Sequence, residues 1–171
     1  NGIPTAAVVG KKEVMDCIRG GRVLCPGTYP GYGLGQCATN AVIDILSRDN
    51  GAIYKQVWKV QEKLMDGMID CAKKYDMPLA LTNNQGVFST LFGIEGGRRN
   101  DLYTMEDTKN FDKKIVETFQ KYLQQLGVFI MFGGRWYINA SHTMEDVEKT
   151  LVAIDKAMKL MKEHNNKFIP D

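Results

Sequence analysis

From Ile53 to Tyr75 the apolar residues Ile53, Val57, Val60, Leu64, Met68, Cys71 and Tyr75 recur every three or four positions. That is the period of a helix with one face turned to a core, so the spacing predicts a long amphipathic helix over about 52–75. Asp76-Met77-Pro78 ends it, because the residue before a proline avoids helical backbone angles. A stripe this long must be covered by another layer of structure, and the chain that follows has to supply it.

The following segments alternate in kind. Leu79 to Thr82 and Gly86 to Phe92 read as two strands around Asn83-Asn84-Gln85. Residues 93 to 107 read as polar and irregular. A helix is expected from about Thr108 to Leu126, with Phe111, Ile115, Phe119, Tyr122 and Leu126 on one face and Gly127 as its stop. Val128 to Phe132 and Trp136 to Asn139 read as two more strands around Gly133-Gly134. A last helix starts after Thr143, where Thr143-Met144-Glu145-Asp146 has a capping-box pattern with acids in the first turn. Its stripe is Val147, Leu151, Ile154, Met158 and Met161. The order helix, strand, strand, helix, strand, strand, helix gives an α+β layer with helices over a small, mostly antiparallel sheet. Met65, Met68, Met77, Met158 and Met161 are read as core.

The first fifty residues do not fit this scheme. Ile3 to Val9 is an apolar run that reads as a short buried strand, stopped by Gly10. Lys11 to Ile18 reads as one or two turns of helix. Residues 20 to 35, GGRVLCPGTYPGYGLG, hold six of the 17 glycines and two of the five prolines. Such density means special backbone angles or close approach to something. A helix from Leu34 to Arg48 follows, ended by Asp49-Asn50-Gly51. This stretch reads as the end of another structure, so we divide the chain at residue 51, into 1–51 and 52–171.

Charge and cysteine content exclude several functions. With 22 basic and 20 acidic residues the net charge is +2, which gives no support to a nucleic-acid or anionic-membrane partner. No apolar run approaches the length of a membrane-spanning helix, and no signal peptide is written at the start. Cys17, Cys25, Cys37 and Cys71 form no C-x-x-C pair, and only His142 and His164 could join them, so no metal site is expected. They read as reduced thiols of a cytoplasmic protein. With Asn1 in place of an initiating methionine, the chain is expected to be processed or a piece of a longer one.

Three places could carry chemistry. Gly27-Thr28, ahead of Pro30-Gly31 and a helix, would let a backbone amide and a hydroxyl reach a phosphate; the alternative is a turn without a ligand. Neither G-x-x-x-x-G-K-[ST] nor a strand followed by G-x-G-x-x-G is present. Arg135, between Gly134 and Trp136, could hold a carboxylate in two parallel hydrogen bonds, or be solvated or ion-paired. His142 could move a proton or serve a structural role near a helix start. Arg98 and Arg99 read as solvated charge, and no Ser/His/Asp or Cys/His set is visible.

In order along the chain, several segments resemble the class III aminotransferases, which depend on pyridoxal 5'-phosphate (PLP). They are Gly2-Ile3-Pro4, Ala6-Ala7-Val8-Val9-Gly10, Lys11-Lys12-Glu13-Val14-Met15, and Gly27-Thr28 with Gly31 and the helix from Leu34. Gly127-Val128-Phe129 and Ser141-His142-Thr143 with Glu145-Asp146-Val147 resemble the glutamate-1-semialdehyde aminomutase branch, an isomerase. The resemblance covers nearly the whole chain. Where the family has Asn-Pro after its Gly-Thr segment, this chain has Tyr32-Gly33.

The resemblance implies a fold-type I enzyme: residues 1–51 as the tail of a PLP-binding large domain, then a linking helix and small α+β C-terminal domain over 52–171. It implies a homodimer in which Gly27 and Thr28 reach the cofactor phosphate of the other subunit. It implies a small amino-acid or amine substrate, and that Arg135 matches the C-terminal-domain arginine that holds a substrate carboxylate in related enzymes acting on β-amino acids. The Schiff-base lysine and the aspartate facing the pyridine nitrogen would lie before Gly2. Lys11 and Lys12 fall on the wrong side of the apolar run to replace that lysine, so no catalytic residue is assigned here. The chain alone is expected to be inactive, with the PLP domain supplied in cis or in trans. Two other readings stay open: a stand-alone binding or assembly module without catalysis, and a subunit completed by a second, lysine-bearing chain.

Overall fold

The computed structural model describes residues 3–102 and 104–170. Gly2 of the Gly2-Ile3-Pro4 motif lies outside the described residues. The chain divides into two compact units, Asn1–Ala52 and Ile53–Asp171.

In the first unit, helix α1 spans Lys12–Arg19, with Glu13 in its first turn and Arg19 in its last, each on the favourable end of the helix dipole. Helix α2 spans Gly33–Ser47 and passes through a 3-10 turn, Arg48–Asn50, to Gly51 in the left-handed region. Residues 3–9, expected as a strand, are not one. A strand is held by a neighbour's hydrogen bonds, and none of these backbone groups pairs with another strand among the described residues. Val8 and Val9 are 71% and 85% exposed. The segment rests on α2 through Thr5: the Thr39 hydroxyl donates to that of Thr5 at 3.3 Å, and a side chain on Gly35 would collide with the Thr5 methyl. The apolar side of α2 is uncovered, with Leu34, Val42 and Ile45 all exposed.

The second unit is built on helix α3, Ala52–Lys74, which continues across the unit boundary. It buries Val60, Leu64 and Met68 of the stripe anticipated from its spacing, together with Gln61, Met65 and Ala72, while Ile53, Val57, Cys71 and Tyr75 of that stripe are half-buried. Strands β1 (Leu79–Thr82) and β2 (Val87–Phe92) form an antiparallel pair with Leu79 opposite Phe92. Strand β3, Gly97–Arg99, runs parallel to β1. This strand and the short helix α4, Met105–Thr108, fall where irregular chain was expected. Gly-Arg-Arg has no apolar alternation, and only pairing with β1 makes it a strand. Helix α4 exists through a capping box in which the Thr104 hydroxyl and the Asp107 carboxylate satisfy each other's backbone amides.

Helix α5 spans Lys113–Gln125 and starts later than its apolar stripe suggests. Asp112 sets the start by accepting from the amides of Lys114 and Ile115. Residues 128–132, expected as a strand, form only a bridge between Met131 and Arg135. The Val128 amide bonds the Leu123 carbonyl at the end of α5, and the Ile130 carbonyl accepts from Gln120. Those groups are therefore unavailable to a ladder. Strand β4, Arg135–Tyr137, pairs with β2, placing Trp136 opposite Phe88. Helix α6, Met144–Glu163, starts with the expected capping box between Thr143 and Asp146.

The sheet order is β3-β1-β2-β4, with two antiparallel pairings and one parallel. Met65, Met68, Phe88, Phe92, Phe119, Tyr122, Ile154, Met158 and Met161 form the centre of one core. Phe92 and Phe119 meet edge to face at 5.2 Å. Gly67 lets α3 and α6 approach, since a side chain there would collide with Leu151.

Candidate functional site

Gly27 and Thr28 lie in the exposed connection between α1 and α2. They line an open cavity of about 920 Å³ within the first unit, with Thr5, Met15, Cys25 and Tyr32 among its other walls. Pro30 folds back so closely that a side chain on Gly27 would meet its ring at 3.2 Å, and Gly31 is left-handed with φ of 76°. Tyr29 and Tyr32 place their rings 5.9 Å apart beside this turn. No hydrogen bond engages the Thr28 hydroxyl among the described residues. An open turn with a free hydroxyl and glycine at its centre fits a phosphate chemically. Glycine and proline density singled out this turn in the sequence; the contact between the two tyrosine rings depends on the fold.

Arg135 belongs to the second unit, where it begins β4. Its strand alternates: Trp136 is buried, Arg135 and Tyr137 are exposed. The loop before it is fixed by Gly134, left-handed with φ of 70° and packed 2.9 Å from a Val116 methyl and 3.0 Å from the Thr90 carbonyl, measured from where a Cβ would stand. The Gly134 carbonyl accepts from the Thr90 amide at 2.9 Å. Trp136 is held by a 2.7 Å bond from its indole nitrogen to the Thr90 hydroxyl and by a parallel stack on Phe88. Arg135 thus projects from a rigid base. Among the described residues it has no carboxylate partner, unlike Arg98, which pairs with Glu62 and Asp66, and Arg99, which pairs with Asp101. Those two arginines, read as solvated, are engaged in ion pairs.

Arg135 lines a cavity of about 290 Å³ with Val60, Leu64, Met131, Trp136 and His142. Asp146 also lines it. Its carboxyl is held below the ordinary range by the Thr143 amide first, then the Thr143 hydroxyl, with smaller help from Lys149 and His142. His142 is half-buried, and its Nδ1 accepts from the Asn139 amide at 3.1 Å. That bond pins the turn before α6, so the structural reading of His142 is the one its geometry carries. Gly27 and Thr28 on one side and Arg135 on the other stand in separate cavities of separate units.

The four cysteines are free, Cys25 and Cys37 exposed, Cys17 and Cys71 half-buried. Among the described residues no helix is long and apolar enough to cross a membrane.

No family model matches the chain. It is 32% identical over 164 residues to the glutamate-1-semialdehyde 2,1-aminomutase of Methanococcus vannielii, covering 92% of this chain and 36% of that protein. It is 31% identical over 162 residues to glutamate-1-semialdehyde 2,1-aminomutase 2 of Brevibacillus brevis, with the same coverage. The chain therefore spans about a third of the length of these relatives. Among solved structures, the FumI protein of Sphingopyxis sp. MTA144 in its PLP internal aldimine form superposes with a TM-score of 0.73 at 16% identity, over 95% of this chain and 34% of that one. An omega-transaminase from Sphaerobacter thermophilus gives 0.72 at 16% identity, over 88% and 34%. At such identities the superpositions establish the fold alone. The chain thus has the fold of about a third of a fold-type I PLP transaminase and is homologous to the C-terminal portion of the glutamate-1-semialdehyde aminomutases.

Proposed function

We propose that this chain is the C-terminal part of a PLP-dependent aminomutase or transaminase that moves an amino group on a small amino-acid or semialdehyde substrate. The observation that carries the reading is the 32% identity over 164 residues to an aminomutase. PLP supplies an electron sink when bound, and the rest of the enzyme supplies the lysine that holds it. Residues 1–51 are the end of the PLP-binding domain and 52–171 the linking helix and small domain. Gly27 and Thr28 contact the cofactor phosphate of the partner in a homodimer. Arg135 holds the substrate carboxylate. The enzyme works in the cytoplasm, where its cysteines stay reduced.

The first unit supports this assignment. A helix with a wide apolar side is a buried helix, yet Leu34, Val42 and Ile45 of α2 and the whole run 3–9 are open to solvent. The remaining two thirds of a protein of the relatives' length would cover them and give residues 3–9 strand partners.

The test is to isolate from the natural source the polypeptide or complex that carries these residues. The expected result is about one PLP per copy, released by acid, and amino transfer with an added amino donor. Absence of PLP would overturn the proposal and favour a stand-alone binding module. The 171-residue chain alone, given PLP, should show no sustained turnover. Sustained turnover would refute the placement of the lysine elsewhere.

A further inference from the structure

Tyr122 on α5 is only 1% exposed, and nothing in the proposed chemistry uses it. Its hydroxyl fastens the segment that follows α6. After α6 stops at Glu163, Asn165 and Asn166 both take left-handed backbone angles, with φ of 51° and 59°. The Asn166 amide returns to the Met161 carbonyl at 2.7 Å, which turns the chain back toward α5. There the buried Thr118 donates its hydroxyl to the Asn166 carbonyl at 3.1 Å. One turn further along α5, the Tyr122 oxygen meets the Lys167 carbonyl at 3.0 Å, the Ile169 amide at 3.0 Å and His164 Nδ1 at 2.7 Å. Phe168 stands edge-on to the Tyr122 ring, with centroids 5.0 Å apart.

These contacts fix the place of every hydrogen among them. A phenol has one hydrogen to give. The Lys167 carbonyl has none, so the phenol donates to it. The Ile169 amide brings its own hydrogen. The His164 contact, at 2.7 Å, needs one as well, and it can come only from Nδ1. His142 is the opposite case: its Nδ1 accepts from the Asn139 amide, which puts the hydrogen of the neutral ring on Nε2.

We propose that residues 164–169 are a strap over α5, latched by the Tyr122 hydroxyl, and that the strap is shut only while His164 carries a hydrogen on Nδ1. Without that hydrogen two lone pairs face each other in a place closed to water, and the strap lifts as a unit. A group taken on Nε2 keeps the Nδ1 hydrogen and leaves the strap shut. Asn165 and Asn166 also line a cavity of about 360 Å³ with Phe92 and Met161 of the core, so lifting the strap opens that cavity further. The strap lies within Ile53–Asp171 and does not depend on the enzyme assignment.

The experiment uses the isotope-labelled full chain at about pH 8, above the ordinary imidazole range. Ring-nitrogen spectra should show the hydrogen on Nδ1 of His164 and on Nε2 of His142. Tyr122→Phe keeps the ring and removes the latch, so the Ile169 amide should exchange with solvent about tenfold faster or more. His164→Asn places an amide N–H near the position of Nδ1, and His164→Asp places a carboxylate oxygen there. The first should hold Ile169 within about threefold of the native exchange rate, and the second should speed it about tenfold. A hydrogen on Nε2 of His164, an unchanged Ile169 rate in Tyr122→Phe, or equal rates in His164→Asn and His164→Asp would overturn the proposal. The ring spectra are taken on the native chain, so they decide even where a variant fails to fold.

Discussion

Replacing Gln61 with leucine tests how the sheet of the second unit is tied to its long helix. Gln61 is only 3% exposed, in the middle of α3. Its Nε2 donates to the Asn84 carbonyl at 2.9 Å, and its Oε1 accepts from the Gly86 amide at 2.7 Å. One side chain thereby satisfies both polar groups of the β1–β2 turn that face the helix. Gly86 is left-handed, with φ of 83°, and its carbonyl in turn accepts from Ile138 just after β4. Leucine matches the volume and removes both bonds. Two net hydrogen bonds are worth about 2 kcal/mol together. Exposed Asn84 recovers water for its carbonyl, whereas the half-buried Gly86 amide recovers less. The sum stays at about 2 kcal/mol, or roughly 8 °C of melting temperature for a unit of this size. Both tryptophans, Trp58 and Trp136, lie in this unit, so thermal unfolding followed by tryptophan emission reports it without interference from the first. Gln56→Leu, on the exposed side of the same helix, is the control and should shift the midpoint by less than about 2 °C. If Gln61→Leu melts within that margin of Gln56→Leu, the turn is not held by this side chain and the reasoning is wrong.

Gly134→Ala forces a side chain into a left-handed position against the Thr90 carbonyl and Val116; a loss of about 2 kcal/mol or more is expected in the same melting assay, and an unchanged midpoint would contradict it. The Asp146 carboxyl is depressed in the folded state, so its contribution to stability is present above the ordinary carboxyl range near pH 4 and is lost as pH falls through the folded value. The gap in melting temperature between the native chain and Asp146→Ala should therefore be wide at pH 7 and narrow well below about pH 3, and a constant gap would refute the assignment. Burial first, then the nearby Asp155 carboxylate, raise the Cys71 thiol. Timed alkylation read by mass spectrometry should mark exposed Cys25 and Cys37 before Cys71, and early loss of Cys71 would show that its cover is not in place.

Helix periodicity made α3 and α6 legible, because each has a stripe at fixed spacing and one strong punctuation mark: Pro78 after α3 and the Thr143–Asp146 box before α6. Strands β1 and β2 were legible for a similar reason, as short apolar runs around a polar turn. Gly27-Thr28 and Arg135 could be singled out because glycine density and a cation set between glycines and an aromatic are local facts. Tertiary structure decided the rest, because those features depend on partners distant in the chain. Gly97–Arg99 is a strand only beside β1, whereas residues 128–130 are not one because the end of α5 and Gln120 take their polar groups. The run Ile3 to Val9 carries the composition of a buried strand, yet composition cannot supply the neighbouring strands that would make it one. Likewise a sequence shows an arginine; only the folded chain shows that Arg98 pairs with Glu62 and Asp66 of α3 and Arg99 with nearby Asp101, while Arg135 has no carboxylate partner among the described residues and lines an apolar cavity.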